Sequence, residues 1–209
     1  MQSKKIAAVQ MISCMQVQEN LRVAGKLIEE AAMQGAGLIV LPENFAAFAN
    51  PNVRTLGEGE ARPDGVIRTF MADQAARHGV WIVGGTIPVA SMADPTRTVA
   101  NGRVRAACFV YDHEGTEVAR YDKIHMFDAI VADNQKSYVE SETTEPGEHL
   151  EVVDTDVGKL GLSVCYDLRF PELFRILFQR GAEILSVPAA FTEVTGAAHW
   201  EVLMRCRAI

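Results

Sequence analysis

The chain has 209 residues, 48% of them apolar and 22% charged, which is the composition of an ordinary folded protein rather than a disordered one. Its net charge of −7 argues against a nucleic-acid or anionic-membrane partner, either of which needs a basic face, and favours a small-molecule or neutral protein partner. The length suits one sizeable α/β domain, and no shift in composition marks a second, so residues 1–209 are read as a single domain.

Lys4 and Lys5 precede an apolar run too short for a secretory signal, and no later run approaches a membrane span, which predicts a cytoplasmic protein. Ile6 to Val9 reads as a first strand. A helix is expected from about Val17 to Met33, with Leu21, Ala24, Leu27, Ile28 and Ala31 on one face, stopped by Gly35 and Gly37. The continuous apolar run Leu38 to Leu41 predicts a strand buried on both faces that delivers Pro42 and Glu43 at its carboxyl end, where α/β sheets hold ligands. A helix from about Gly65 to Arg77 and a strand Val80 to Val83 follow.

Two strands, Arg105 to Tyr111 and Glu117 to Tyr121, flank the turn Asp112 to Gly115 and lead to Lys123. Phe127 to Glu148 is polar and aperiodic and reads as a long loop. Strands at Leu150 to Thr155 and Leu160 to Val164 come next, the second ending at Cys165. A helix from Pro171 to Arg180, closed by Gly181, then precedes a strand Ile184 to Val187. The last segment, about Ala197 to Ile209, is helical in spacing and carries no stop signal, so the chain is expected to be a fragment, incomplete at its carboxyl end.

Cys14, Cys108, Cys165 and Cys206 form no Cys-x-x-Cys pair and have no histidine at ligand spacing, so neither a disulfide framework nor a metal site is expected. Taken singly, each chemical candidate has an ordinary explanation. Cys165 reads as a core residue at a strand end, Glu43 as a cap, Lys123 as a solvated partner of Asp122, and Glu140 as an exposed loop carboxylate. A strand-to-helix turn also exposes backbone N–H groups beside the Cys165 thiol, which needs a base or a cation to become nucleophilic.

The set changes the balance. Gly161 to Glu172, containing Cys165-Tyr166-Asp167-Leu168-Arg169-Phe170-Pro171-Glu172, resembles the cysteine motif of the nitrilase superfamily. Leu41-Pro42-Glu43-Asn44 and Tyr121-Asp122-Lys123-Ile124-His125 resemble its glutamate and lysine motifs, in the family's order. Tyr138-Val139-Glu140-Ser141 resembles the segment bearing a second glutamate, with Glu142 the runner-up for that role, and His199-Trp200-Glu201 resembles a helix of the amidase branch.

The resemblance covers essentially the whole chain. It implies a four-layer α-β-β-α sandwich, here lacking its closing C-terminal strands, and a homodimer formed through a helical face. It further implies a Glu43 base, a Cys165 nucleophile, an oxyanion held by Lys123 and the Tyr166 backbone N–H, Glu140 orienting Lys123, and no metal or organic cofactor. The implied reaction is hydrolysis of a terminal amide, deaminated glutathione or a related 2-oxo acid amide, with Arg169 or His125 on a substrate carboxylate and Arg175 a further basic residue in reach. Three other readings stay open: a nitrile substrate, a catalytically silent binding module, and a cysteine hydrolase using His125 or His199 as base.

Overall fold

The computed structural model describes residues 4–62, 64–93, 97 and 99–209. A larger sheet contains β1 (Lys5–Ala8), β2 (Ala36–Val40), β3 (Trp81–Val83), β4 (Ile87–Val89), β5 (Arg105–Tyr111) and β6 (Glu117–Asp122). β1, β2 and β3 run parallel; β3 and β4 lie along one edge of β5 and β6 along the other, all antiparallel to it. After a small hairpin of β7 (Asp128–Ile130) and β8 (Ser137–Val139), a second sheet follows, made of β9 (Val152–Thr155), β10 (Gly158–Leu162) and β11 (Ile184–Ser186) in the order β11-β10-β9.

Among the described residues there are five α-helices: α1 (Val17–Met33), α2 (Val53–Glu60), α3 (Val66–His78), α4 (Pro171–Gln179) and α5 (Glu193–Ala208). None among the described residues is long and apolar enough to cross a membrane.

Because successive strand residues face opposite sides, the alternation of apolar side chains sorts the molecule into layers. Ile39, Ile82, Ala107, Phe109 and Tyr111 pack with Leu21, Ile28, Ile67 and Met71 of α1 and α3. Their neighbours Leu38, Val83, Cys108 and Val110 face the other way, onto Val153, Leu160 and Leu162 of the second sheet. That sheet's far side, including partly buried Val152 and Leu185, meets Leu173, Phe174 and Leu177 of α4 and partly buried Trp200 and Leu203 of α5. The order helix, sheet, sheet, helix is the expected α-β-β-α sandwich. β2 and β3 bury both faces, which is why they read as unbroken apolar runs.

Two elements escaped sequence reading. α2 carries Gly57 and Gly59, which mask a helical pattern, and β4 is Ile87-Pro88-Val89, whose proline argues against a strand. The expected loop from Phe127 to Glu148 instead holds the β7–β8 hairpin and a 3-10 turn, Glu140–Glu142. α5 also begins earlier than its apolar spacing indicates, at Glu193, where the Thr192 hydroxyl accepts from the Thr195 N–H at 3.4 Å.

Candidate active site

Glu43 leaves the carboxyl end of β2 on a turn stabilised by Asn44, which is left-handed at φ 54° and donates its N–H to the Thr86 hydroxyl at 2.9 Å. Gly85 passes directly beneath. It has φ +55°, and a Cβ there would sit 1.9 Å from the Pro42 carbonyl oxygen, so only glycine lets the two backbones approach this closely. The Glu43 side chain is 5% exposed.

Lys123 follows β6. Its N–H donates to the Ala106 carbonyl at 3.0 Å, and its own carbonyl accepts from Gly147 at 2.7 Å. Gly147 is the other obligatory glycine, since a Cβ would meet the Asp122 carbonyl oxygen at 2.0 Å. Held this way, the Lys123 side chain is 1% exposed and its Nζ lies 2.8 Å from Glu43 Oε1, and 3.0 and 2.8 Å from the two oxygens of Glu140.

Glu140 opens the 3-10 turn after β8 and also accepts the Phe127 N–H at 2.7 Å. Glu142, in the same turn, is exposed. Burial by itself would push the Lys123 ammonium down, but the two carboxylates outweigh it and hold Lys123 above its ordinary range.

β10 ends at Leu162, and Cys165 begins a 3-10 turn, Cys165–Arg169, that leads into α4. Cys165 adopts φ 46°, the left-handed region that non-glycine residues occupy only at a cost, and its N–H donates to the Pro188 carbonyl at 2.9 Å. The residue is 8% exposed. Burial, then the Glu43 charge, pushes the thiol well above its ordinary value, with Lys123 and the Ala190 N–H opposing. The environment thus disfavours a standing thiolate at Cys165.

Tyr166 lies in the first turn of the 3-10 helix, where N–H groups lack partners within the helix. A small cleft of about 20 Å³ opens beside Cys165 and is lined by Phe127, Tyr166, Arg169, Phe191 and Thr195. The Arg169 guanidinium sits 5.8 Å from the Tyr166 ring centroid and 5.7 Å from that of Phe191, and 3.4 Å from His199 Nδ1. His125 stacks on Phe170 at 3.6 Å between centroids, and its Nδ1 lies 2.7 Å from Asp167 Oδ1. Arg175 lies on α4, exposed, along a different depression.

Sequence reading missed the backbone partners Pro188 and Ala190, because a main-chain group leaves no signature in residue type. It also passed over Asp167 as a structural centre, although Asp167 lies within the motif of Cys165.

The fold and this cluster define a class of α-β-β-α proteins with a buried cysteine, a lysine and two carboxylates gathered at the carboxyl ends of strands. The sequence matches the carbon-nitrogen hydrolase family over residues 5–209. The chain belongs to that family, in the amidase branch of the nitrilase superfamily.

It is 44% identical over 209 residues to the deaminated glutathione amidase of Yersinia enterocolitica, covering 100% of this chain and 70% of that protein. To the omega-amidase NIT2-A of Xenopus laevis it is 35% identical over 206 residues, covering 98% and 70%. The crystal structure of Saccharomyces cerevisiae Nit3, a member of branch 10 of the nitrilase superfamily, matches with a TM-score of 0.80 at 30% identity, covering 99% of this chain and 71% of that one.

Proposed function

We propose that this chain hydrolyses an amide C–N bond to a carboxylic acid and an amine through a thioester on Cys165, with deaminated glutathione, which would release a cysteinyl amine, or a related 2-oxo acid amide, which would release ammonia, as substrate. The observation that carries this reading is the Lys123 Nζ, 2.8 Å from both Glu43 and Glu140, with the Lys123 and Glu43 charges both acting on the buried Cys165 thiol.

In the acylation step Glu43 takes the thiol proton as sulfur attacks the amide carbonyl, so the thiolate exists only as the new bond forms. The carbonyl oxygen becomes an oxyanion held by the Lys123 ammonium and the Tyr166 N–H. Lys123 stays charged through the cycle because Glu140 faces it throughout and, when Glu43 is protonated, the oxyanion supplies the second negative charge. Glu43 returns the proton to the departing nitrogen, and the amine leaves, as ammonia when the amide is primary. A water that Glu43 deprotonates then attacks the thioester, the acid departs, and the thiol is restored. Glu140 keeps Lys123 aimed. No step uses a metal or an organic cofactor.

The substrates named for the relatives point to an amide that also bears a carboxylate. Arg169, at the rim of the cleft, is the group assigned to that carboxylate, with His125 second because its Nδ1 is engaged by Asp167. Residues 1–209 act as one domain in the cytoplasm. A homodimer forms through the helical face, where α5 has no fully buried residue and Val202 and Phe178 are 68% and 77% exposed.

Release of the cysteinyl amine from deaminated glutathione and of ammonia from 2-oxoglutaramate, each with and without Cys165→Ala, tests the reading. Activity that disappears in Cys165→Ala supports it and ranks the substrates. Activity that survives removes Cys165 as nucleophile. Turnover of a nitrile alone, or binding of these amides without turnover, replaces the proposal. Elution as a monomer in sizing chromatography overturns the dimer.

A further inference from the structure

We infer that Asp167, which takes no part in the proposed chemistry, is the positioning residue that locks the Cys165 turn against the Lys123 segment. The inference rests on the proposed role of Cys165.

Asp167 is fully buried. Its Oδ2 accepts from the Tyr121 hydroxyl at 2.6 Å and from the Val164 N–H at 2.8 Å. Its Oδ1 accepts from the His125 N–H at 3.0 Å and pairs with His125 Nδ1 at 2.7 Å. A carboxylate taken out of water is tolerated only when its lone pairs are used, and four partners fill both oxygens.

The origin of those partners is what matters. Val164 immediately precedes Cys165, whereas Tyr121 and His125 stand two residues before and two residues after Lys123. One buried carboxylate therefore grips both the carrier of the thiol and the carrier of the ammonium.

The surrounding contacts leave this grip little slack. Cys165 is in the left-handed region, which a residue with a Cβ occupies only at a cost, and it persists there only if its neighbours over-determine the turn. The Val164 bond to Asp167 lies on one side of it, and the Phe170 N–H donates to the Asp167 carbonyl at 2.9 Å on the other. Stacking within 10° of parallel on Phe170 fixes the His125 ring. Burial and the Asp167 charge push the Tyr121 phenol upward, which keeps it a donor.

The test compares Asp167→Asn and Tyr121→Phe with the unaltered protein in three readouts: kcat and KM for ammonia release, the rate of iodoacetamide alkylation at Cys165 with exposed Cys206 as internal reference, and the melting temperature. An asparagine must turn its NH2 toward two of the existing donors. A misplacement on the scale of 1 Å costs about 100-fold in kcat. We expect that loss in Asp167→Asn with KM changed less than about threefold, alkylation of Cys165 slowed at least about tenfold, and Cys206 unaffected. Tyr121→Phe, which removes one bond and keeps the ring, should show the same pattern at about tenfold.

A folded Asp167→Asn with normal kcat and normal Cys165 alkylation overturns the inference. So does a pair of variants that lose melting temperature alone. If Asp167→Asn fails to fold, Tyr121→Phe decides by the same two readouts. Cys165→Ala, run alongside, separates the two levels: activity surviving there sinks the proposed function, whereas activity lost there and unchanged in Asp167→Asn sinks only the role of Asp167.

Discussion

Glu43 and Ala190 are 147 positions apart in the chain, yet the Ala190 N–H donates to Glu43 Oε2 at 2.8 Å while Oε1 meets Lys123 at the same distance. Each carboxylate oxygen thus has its own fixed donor, one from each sheet's strand-end region. The proposed base is held in one orientation before any substrate arrives, which is what efficient proton transfer requires.

Glu43→Gln replaces an acceptor pair by one acceptor and one donor, so its NH2 group opposes either Lys123 or the Ala190 N–H. Loss of the base should lower kcat by about 1,000-fold. Removing the Glu43 charge also removes one of the causes that push the Cys165 thiol upward. The pH midpoint for alkylation of Cys165 should therefore move down in Glu43→Gln even as turnover falls. An unmoved or higher midpoint contradicts the electrostatic account of the site.

Stability should erode in alkali before any carboxylate chemistry is involved. Cys108 lies between the two sheets, and burial pushes its thiol up to about 12, against an ordinary value of 9.0 in the unfolded chain. Between those limits the folded state binds the proton and the unfolded state releases it. The stabilisation is fully present below about pH 9 and is lost as pH rises toward 12. Cys108→Ala should cost about 1 kcal/mol at neutral pH, from lost packing, and flatten the decline of the urea midpoint above pH 9. Parallel declines in both proteins reject the assignment.

Gly85→Ala tests the close approach beneath the Glu43 turn. The new methyl would stand 1.9 Å from the Pro42 carbonyl oxygen, with the backbone already at φ +55°. A destabilisation of about 3 kcal/mol or more is expected by urea denaturation, together with loss of activity in whatever remains folded. A midpoint within error of the unaltered protein would show that the turn can move aside.

Arg169→Ala should raise KM for a carboxylate-bearing amide by about 10- to 100-fold while kcat changes much less, since a contact made equally in ground and transition states affects binding alone. Arg169→Lys should recover part of the loss. Steady-state kinetics on a matched amide lacking the carboxylate supplies the control. If Arg169→Ala affects both substrates equally, Arg169 serves the fold through its contacts with Tyr166, Phe191 and His199.

Much of the architecture is written locally. The apolar runs around Leu38 and Leu160, the helical stripe of Leu21, Ala24 and Ile28, and the glycine and proline punctuation are short-range patterns, and they became β2, β10, α1 and α4 near their expected positions. The positions of Glu43, Lys123 and Cys165 at strand ends were legible too, because each follows a strand within a motif of specific residue types.

Other features depend on pairings between distant segments. Glu140 rather than Glu142 faces Lys123 because the β7–β8 hairpin, which has no clear period, sets the start of its 3-10 turn. The Ala190 and Pro188 backbone groups reach Glu43 and Cys165 only because the second sheet packs on the first, and main-chain atoms are the same in every residue. Asp167 shows the division most plainly: its place beside Cys165 is a matter of sequence, but its hold on Tyr121 and His125 exists only when two segments more than 40 residues apart meet in a dry core.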